Sequence, residues 1–252
     1  MKSKITVLIL FSAFLSLKAT AQTISVKYQR TQKLNIESAS MDDRTKEKLM
    51  KRLNKGAEFE LTVSRMRTLY KEAPRKEEEE VLHEEGGGPR MRIRMSGSRD
   101  TLYTNLASKQ YTNKVGFFGK DFLIEDQLPK YDWKITTEKK KIGKYDCVKA
   151  TAMDDDKELV AWYTEAIPLG AGPDIFGGLP GLILELERGR TKYIGLEISI
   201  GKENTDLIEP SKGKPINQKD FDKMRDKKLD LMRKNMQTQQ SEGRRMIFIQ
   251  AQ

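Results

Sequence analysis

Apolar residues along most of this chain alternate with polar ones. Ile24, Val26 and Tyr28 fall on one side of an extended segment, and Phe59, Leu61 and Val63 alternate with Glu60 and Thr62. A period of two predicts half-buried strands. Met91, Ile93 and Met95 repeat the pattern against arginines. Short strand candidates then follow at 101–105, 122–124, 132–136, 145–152, 159–164, 182–187 and 192–200. Turn signals between such short strands predict an antiparallel sheet, because parallel pairing would need long helical crossovers.

Two segments carry a helical period instead. Residues 42–54 start acidic, end rich in Lys and Arg, and stop before Gly56, which predicts a helix. Asn217 is placed to cap a second helix over 217–239, where Phe221, Met224, Leu231, Met232 and Met236 recur at helical spacing and Lys228 interrupts the stripe. Such a helix lies on the sheet or on a partner; too few leucines and no tryptophan argue against a membrane-surface role. The expected fold is α+β: a curved, mostly antiparallel sheet with an N-terminal and a C-terminal helix. Lys76–Glu80 and Gly86–Gly88 read as a solvated loop between hairpin strands.

The first residues change the picture. Lys2 and Lys4 precede an apolar run, and Ala19-Thr20-Ala21 supplies the small-x-small pattern of a cleavage site, so a signal peptide over 1–21 is expected. The run is shorter than the roughly 20 residues that cross a bilayer. The expected division is a signal over 1–21, a sheet domain over 22–205, and a linker with an amphipathic helix over 206–252. Cleavage removes three lysines, so the formal charge of +10 falls to about +7. That excess allows contact with anionic surfaces, and nucleic acid is a poor expectation without a recognisable binding module.

Candidate chemistry is sparse. Cys147 is the single cysteine and His83 the single histidine. A thiol nucleophile needs a base to make thiolate at neutral pH, and the two residues lie in unrelated segments. Cys147 is expected to pack as a small hydrophobe within a strand. Asp154-Asp155-Asp156 lacks the spacing of a calcium loop and fits a hairpin turn. No metal and no cofactor are expected.

The segment 167–186, IPLGAGPDIFGGLPGLILEL, is the densest in turn chemistry. Pro180-Gly181 fits the centre of a type II turn, with Gly181 accepting a positive φ. Leu182, Ile183, Leu184 and Leu186 then predict a buried strand. Trp162, Tyr163 and Phe176, beside the 177–181 backbone (Gly177, Gly178, Leu179, Pro180, Gly181), either line an apolar pocket or belong to the core. The string Gly178-Leu-Pro-Gly-Leu-Ile183, with Trp133-Lys-Ile-Thr136, Asp146-Cys147-Val-Lys-Ala150 and Ala161-Trp-Tyr-Thr164, resembles the GLPGLI family of exported Bacteroidetes proteins. The resemblance implies a periplasmic setting and no catalytic residues. By analogy its strand meander is similar to the half-barrels of periplasmic lipoprotein carriers. The expected function is an exported binding module for an apolar ligand or a protein partner. The alternatives are an accessory subunit of an outer-membrane transport system and a hydrolase using Cys147.

Overall fold

The computed structural model describes residues 23–33, 56–73, 100–201 and 205–241. The expected signal at 1–21, the helix at 42–54, the strand at 91–95 and His83 lie outside them. The described residues form twelve strands and one helix. The strands are β1 (Thr23–Gln32), β2 (Ala57–Ser64), β3 (Arg67–Glu72), β4 (Thr101–Asn105), β5 (Gln110–Phe117) and β6 (Lys120–Gln127). Then come β7 (Lys134–Ile142), β8 (Tyr145–Asp154), β9 (Lys157–Thr164), β10 (Leu182–Arg188), β11 (Thr191–Gly201) and β12 (Lys214–Ile216). Helix α1 (Gln218–Ser241) follows.

All twelve strands join one open sheet in the order β12-β6-β5-β4-β3-β2-β1-β11-β10-β9-β8-β7. Pairing is antiparallel except between β12 and β6. Tight turns make the meander. Arg65 and Met66 close β2–β3 with φ of 49° and 60°, and Phe118 and Gly119 close β5–β6 with φ of 49° and 74°. Positive φ at both central positions is the geometry whose twist matches paired strands. Asp155 (φ 52°) turns β8 into β9, so the aspartate run is a hairpin turn as expected.

The sheet has to curl. β6 stands second in the order and β7 last, ten strand spacings away, or about 48 Å along a flat sheet. The chain joins them through residues 128–133 alone, which reach at most about 25 Å. The sheet edges therefore approach each other across a trough.

Two apolar clusters hold the strands. The first gathers Val26, Tyr28, Phe59, Leu61, Tyr70, Leu102, Tyr111, Phe122 and Ile124 with Cys147, Leu182 and Leu184. The second gathers Ala150, Leu159, Ala161, Tyr163, Ile183, Leu186 and Tyr193. A bulge between Ile183 and Glu185 breaks the alternation of β10, so Leu184 and Leu186, two residues apart, enter different clusters.

Helix α1 begins as its sequence dictates. Asn217 Oδ1 accepts a hydrogen bond from the Asp220 backbone N–H at 2.8 Å, the capping contact. Phe221 then packs edge-on against Phe117 and Phe122, with centroids 5.8 and 5.6 Å away. Burying that ring contributes about 2 kcal/mol. The polar residue in the stripe has a use of its own: Lys228 Nζ sits 5.2 Å from the centre of the Phe118 ring. No described helix is long and apolar enough to cross a membrane.

Candidate functional site

The connection from β9 to β10, residues 165–181, folds against the sheet and is tied to itself by backbone bonds. The Gly178, Leu182 and Ile183 N–H groups donate to the Gly170, Ile167 and Ala171 carbonyls, each at 3.0 Å. This packing needs glycine. A Cβ at Gly177 would stand 2.6 Å from the Gly170 carbonyl oxygen, and one at Gly181 would overlap the Thr164 carbonyl. The type II turn expected at Pro180-Gly181 is corrected here. The positive φ belongs to Gly178, at 88°, and Gly181 is required by close backbone approach instead.

The residues singled out from sequence separate. Tyr163, Phe176 and Leu179 come together in the second cluster and are buried. Trp162 follows the strand alternation onto the other side, where Lys140 Nζ lies 4.3 Å from the centre of its ring. Gly178 and Pro180 are exposed, and Gly177 accepts the Trp133 Nε1–H bond at 3.0 Å. Cys147 is fully buried with Sγ 3.7 Å from the Tyr145 carbonyl oxygen. Burial pushes its thiol up to about 11, against the opposing pull of the Ile142 backbone bond and Lys140. That keeps the sulfur a thiol at neutral pH.

What the loop does present is Asp174. It is a non-glycine residue at φ 55°, a costly conformation, and it follows the fully buried Pro173. Its carboxylate accepts a hydrogen bond from the Tyr193 hydroxyl at 3.1 Å. Tyr193 stands opposite Arg30 in register, and Arg30 stacks over Phe59 with Cζ 4.5 Å from the ring centre. Burial raises the Asp174 pKa, while the Tyr193 bond and Arg30 oppose the rise. The residue as a whole nevertheless keeps partial contact with solvent.

Four tyrosines from separate elements feel this carboxylate: Tyr70 on β3, Tyr111 on β5, Tyr131 on the 128–133 linker and Tyr193 on β11. All are pushed above the ordinary phenol range, by burial first and by neighbouring charge after it. They stay protonated and serve as hydroxyl donors and ring walls. Phe59 stacks on Tyr70 at 5.0 Å and Phe176 on Tyr131 at 5.8 Å. The result is a partly open acid among aromatic walls, acted on by the guanidiniums of Arg30 and Arg188. Among the described residues, no group of three His, Cys, Asp or Glu side chains could hold a metal ion.

Asp174, Arg30, Tyr70, Tyr111, Tyr131 and Tyr193 were not singled out from the sequence. One signal was available: Asp174 is the single acid between Ile167 and Leu184, an otherwise uncharged segment. The partners are scattered from β1 to β11, and only the curled sheet collects them.

Residues 152–185, from the end of β8 through the loop into β10, match a family described as a protein of unknown function (Porph_ging). That span contains the Gly178–Ile183 string and Asp174. No curated protein matches the chain. Two solved structures of PNGF-II, in C2 and P21 space groups, are similar at 16% and 17% identity, with TM-scores of 0.50 and 0.52. Each comparison covers 81% of this chain and 32% or 33% of the PNGF-II chain. At such identity the likeness is one of fold, and this chain spans about a third of the PNGF-II length.

Proposed function

We propose that this protein is an exported, non-catalytic binding module of the bacterial envelope, of the GLPGLI type, with its curled sheet serving as a half-barrel. Its ligand has an apolar body and lies in the trough. The observation that carries this reading is the gathering of Asp174, Tyr193, Arg30, Phe59 and Tyr70, from distant parts of the chain, at one partly open place. A mainly aromatic concavity with a few converging polar groups and shifted titrations is the usual form of a small-molecule site. Binding is favoured over hydrolysis because Cys147 is a buried thiol and the tyrosines are held as phenols.

The test is direct. The mature protein is titrated with a fluorescent fatty acid, and material isolated from its native envelope is analysed by native mass spectrometry for retained small molecules. Saturable fluorescence or a retained apolar species is expected. A flat titration with nothing retained removes the reading. A protein partner is the second reading, supported by Leu231, which stands about half exposed on α1 away from the sheet contact of Phe221. Crosslinking through α1 that captures no envelope protein counts against it.

A further inference from the structure

Resting on the trough as a binding site, the chemistry of its walls narrows the ligand. Two buried polar atoms there have no hydrogen-bond partner among the described residues: the Tyr70 hydroxyl and Asn113 Oδ1. Tyr70 is 5% exposed. A buried polar atom left unpaired costs about 1–3 kcal/mol, so a ligand that pairs it recovers that cost. The two atoms are neighbours in register. Tyr70 pairs with Leu102, and Leu102 pairs with Asn113, so both side chains flank Leu102 on one side of the sheet. Tyr111 stands two residues from Asn113 on β5 and shares its side. Asp174 acts electrostatically on both Tyr70 and Tyr111, the two tyrosines that bracket Asn113.

The place therefore offers two acceptors, Asn113 Oδ1 and the Asp174 carboxylate, and a Tyr70 hydroxyl that can both donate and accept. It also holds cations: Arg30, beside Tyr193 in register and stacked on Phe59, and Arg188, which acts on Asp174 and is paired with Asp154. An anionic head would face the Asp174 carboxylate and the amide oxygen. An ammonium head would face Arg30. A neutral head carrying O–H donors is complementary to all of them and repelled by none.

We propose that the trough recognises an amphiphile with an uncharged, hydroxyl-bearing head, whose O–H groups donate to Tyr70, Asn113 and Asp174 while its apolar body lies along the first cluster. Partly buried Val115, Phe117 and Ile175 pack against that cluster and would border the tail.

Three probes with one tail and different heads test this: monodecanoylglycerol, decanoate and decylamine. Each is titrated into the full protein by calorimetry at neutral pH, below its aggregation threshold. Monodecanoylglycerol is expected to bind at least about tenfold tighter than either charged probe, the factor that about 1.4 kcal/mol provides. Tyr70→Phe and Asn113→Leu should each weaken monodecanoylglycerol about five- to tenfold and so narrow its lead over the charged probes. Thermal melts of both variants establish that they fold. Equal affinity for all three heads, a preference for decanoate or decylamine, or unchanged binding in both folded variants overturns the head-group assignment while leaving an apolar site. Binding by none of the three overturns the site itself.

Discussion

Asp174 ties conformation to ionisation within one residue. Burial holds its carboxyl above the ordinary range, so between that range and the raised value the folded chain keeps a proton that the unfolded chain has released. Its contribution to stability is greatest below the ordinary carboxyl range and is lost as pH rises toward the raised value. Asp174→Asn keeps an acceptor for Tyr193, removes the buried charge and suits positive φ. The variant should melt higher than the parent at pH 7, and the difference should shrink in melts taken toward pH 4. Gly181→Ala should do the opposite. Its Cβ would overlap the Thr164 carbonyl, and the atoms it meets are all backbone of the Thr164–Glu165 peptide, which cannot swing aside as a side chain could. A loss of more than about 3 kcal/mol in denaturant melts is expected. The need for a small residue at 181 was visible in the sequence, but its cause was not. A Pro-Gly pair suggests turn dihedrals, whereas the contact that excludes a side chain comes from Thr164, seventeen positions earlier.

At the scale of elements, strands with clean alternation were legible and strands without it were not. β1, β2, β4 and β8 to β11 coincide closely with the apolar pattern, and α1 starts at the capping asparagine. β3, β5 and β12 escaped notice for physical reasons. β3 buries Thr68 as well as Tyr70, β5 buries Thr112 beside Tyr111, and β12 is three residues long with proline at its centre. Hydroxyls can be buried in a sheet when neighbours satisfy them, as Glu209 does for Thr112 at 2.5 Å, and hydrophobic patterning cannot see that. β10 contributes through charge too. Glu185 accepts from Lys140 at 2.7 Å and Lys192 at 2.9 Å. Burial would raise its pKa, yet these two lysines bring it below the ordinary range. Its contribution is present at neutral pH and lost as pH falls through the lowered value. Glu185→Gln should cost about 1–2 kcal/mol at pH 7 by denaturant melt, and the cost should fade in acid. The edge strand β7 carries Lys139, Lys140 and Lys141 in sequence, a pattern that discourages pairing with another sheet. Replacing Lys139 and Lys141 by Val should convert a monodisperse sample into higher oligomers by light scattering.

For the whole molecule, the curl mattered most and was least visible. It follows from a six-residue linker joined to a strand order that exists only after folding. The candidate site depends on it, since Tyr70, Tyr111, Tyr131 and Tyr193 sit on elements that a flat sheet would hold far apart. The aromatic and glycine residues around 162–181 drew attention in the sequence because they build the wall, and most of them are spent in the core.

The central position of β1 has a kinetic consequence. Strands β2 to β6 and β7 to β11 are two runs in which each strand pairs with the next along the chain. β1 joins them by pairing Tyr28 with Phe59 on one side and with Gly195 on the other. The second pairing spans more than half the chain, and contacts of such separation form slowly because loop closure must precede them. One of the earliest strands in the sequence waits for one of the last, and until they meet the two halves have nothing to hold them in a common sheet.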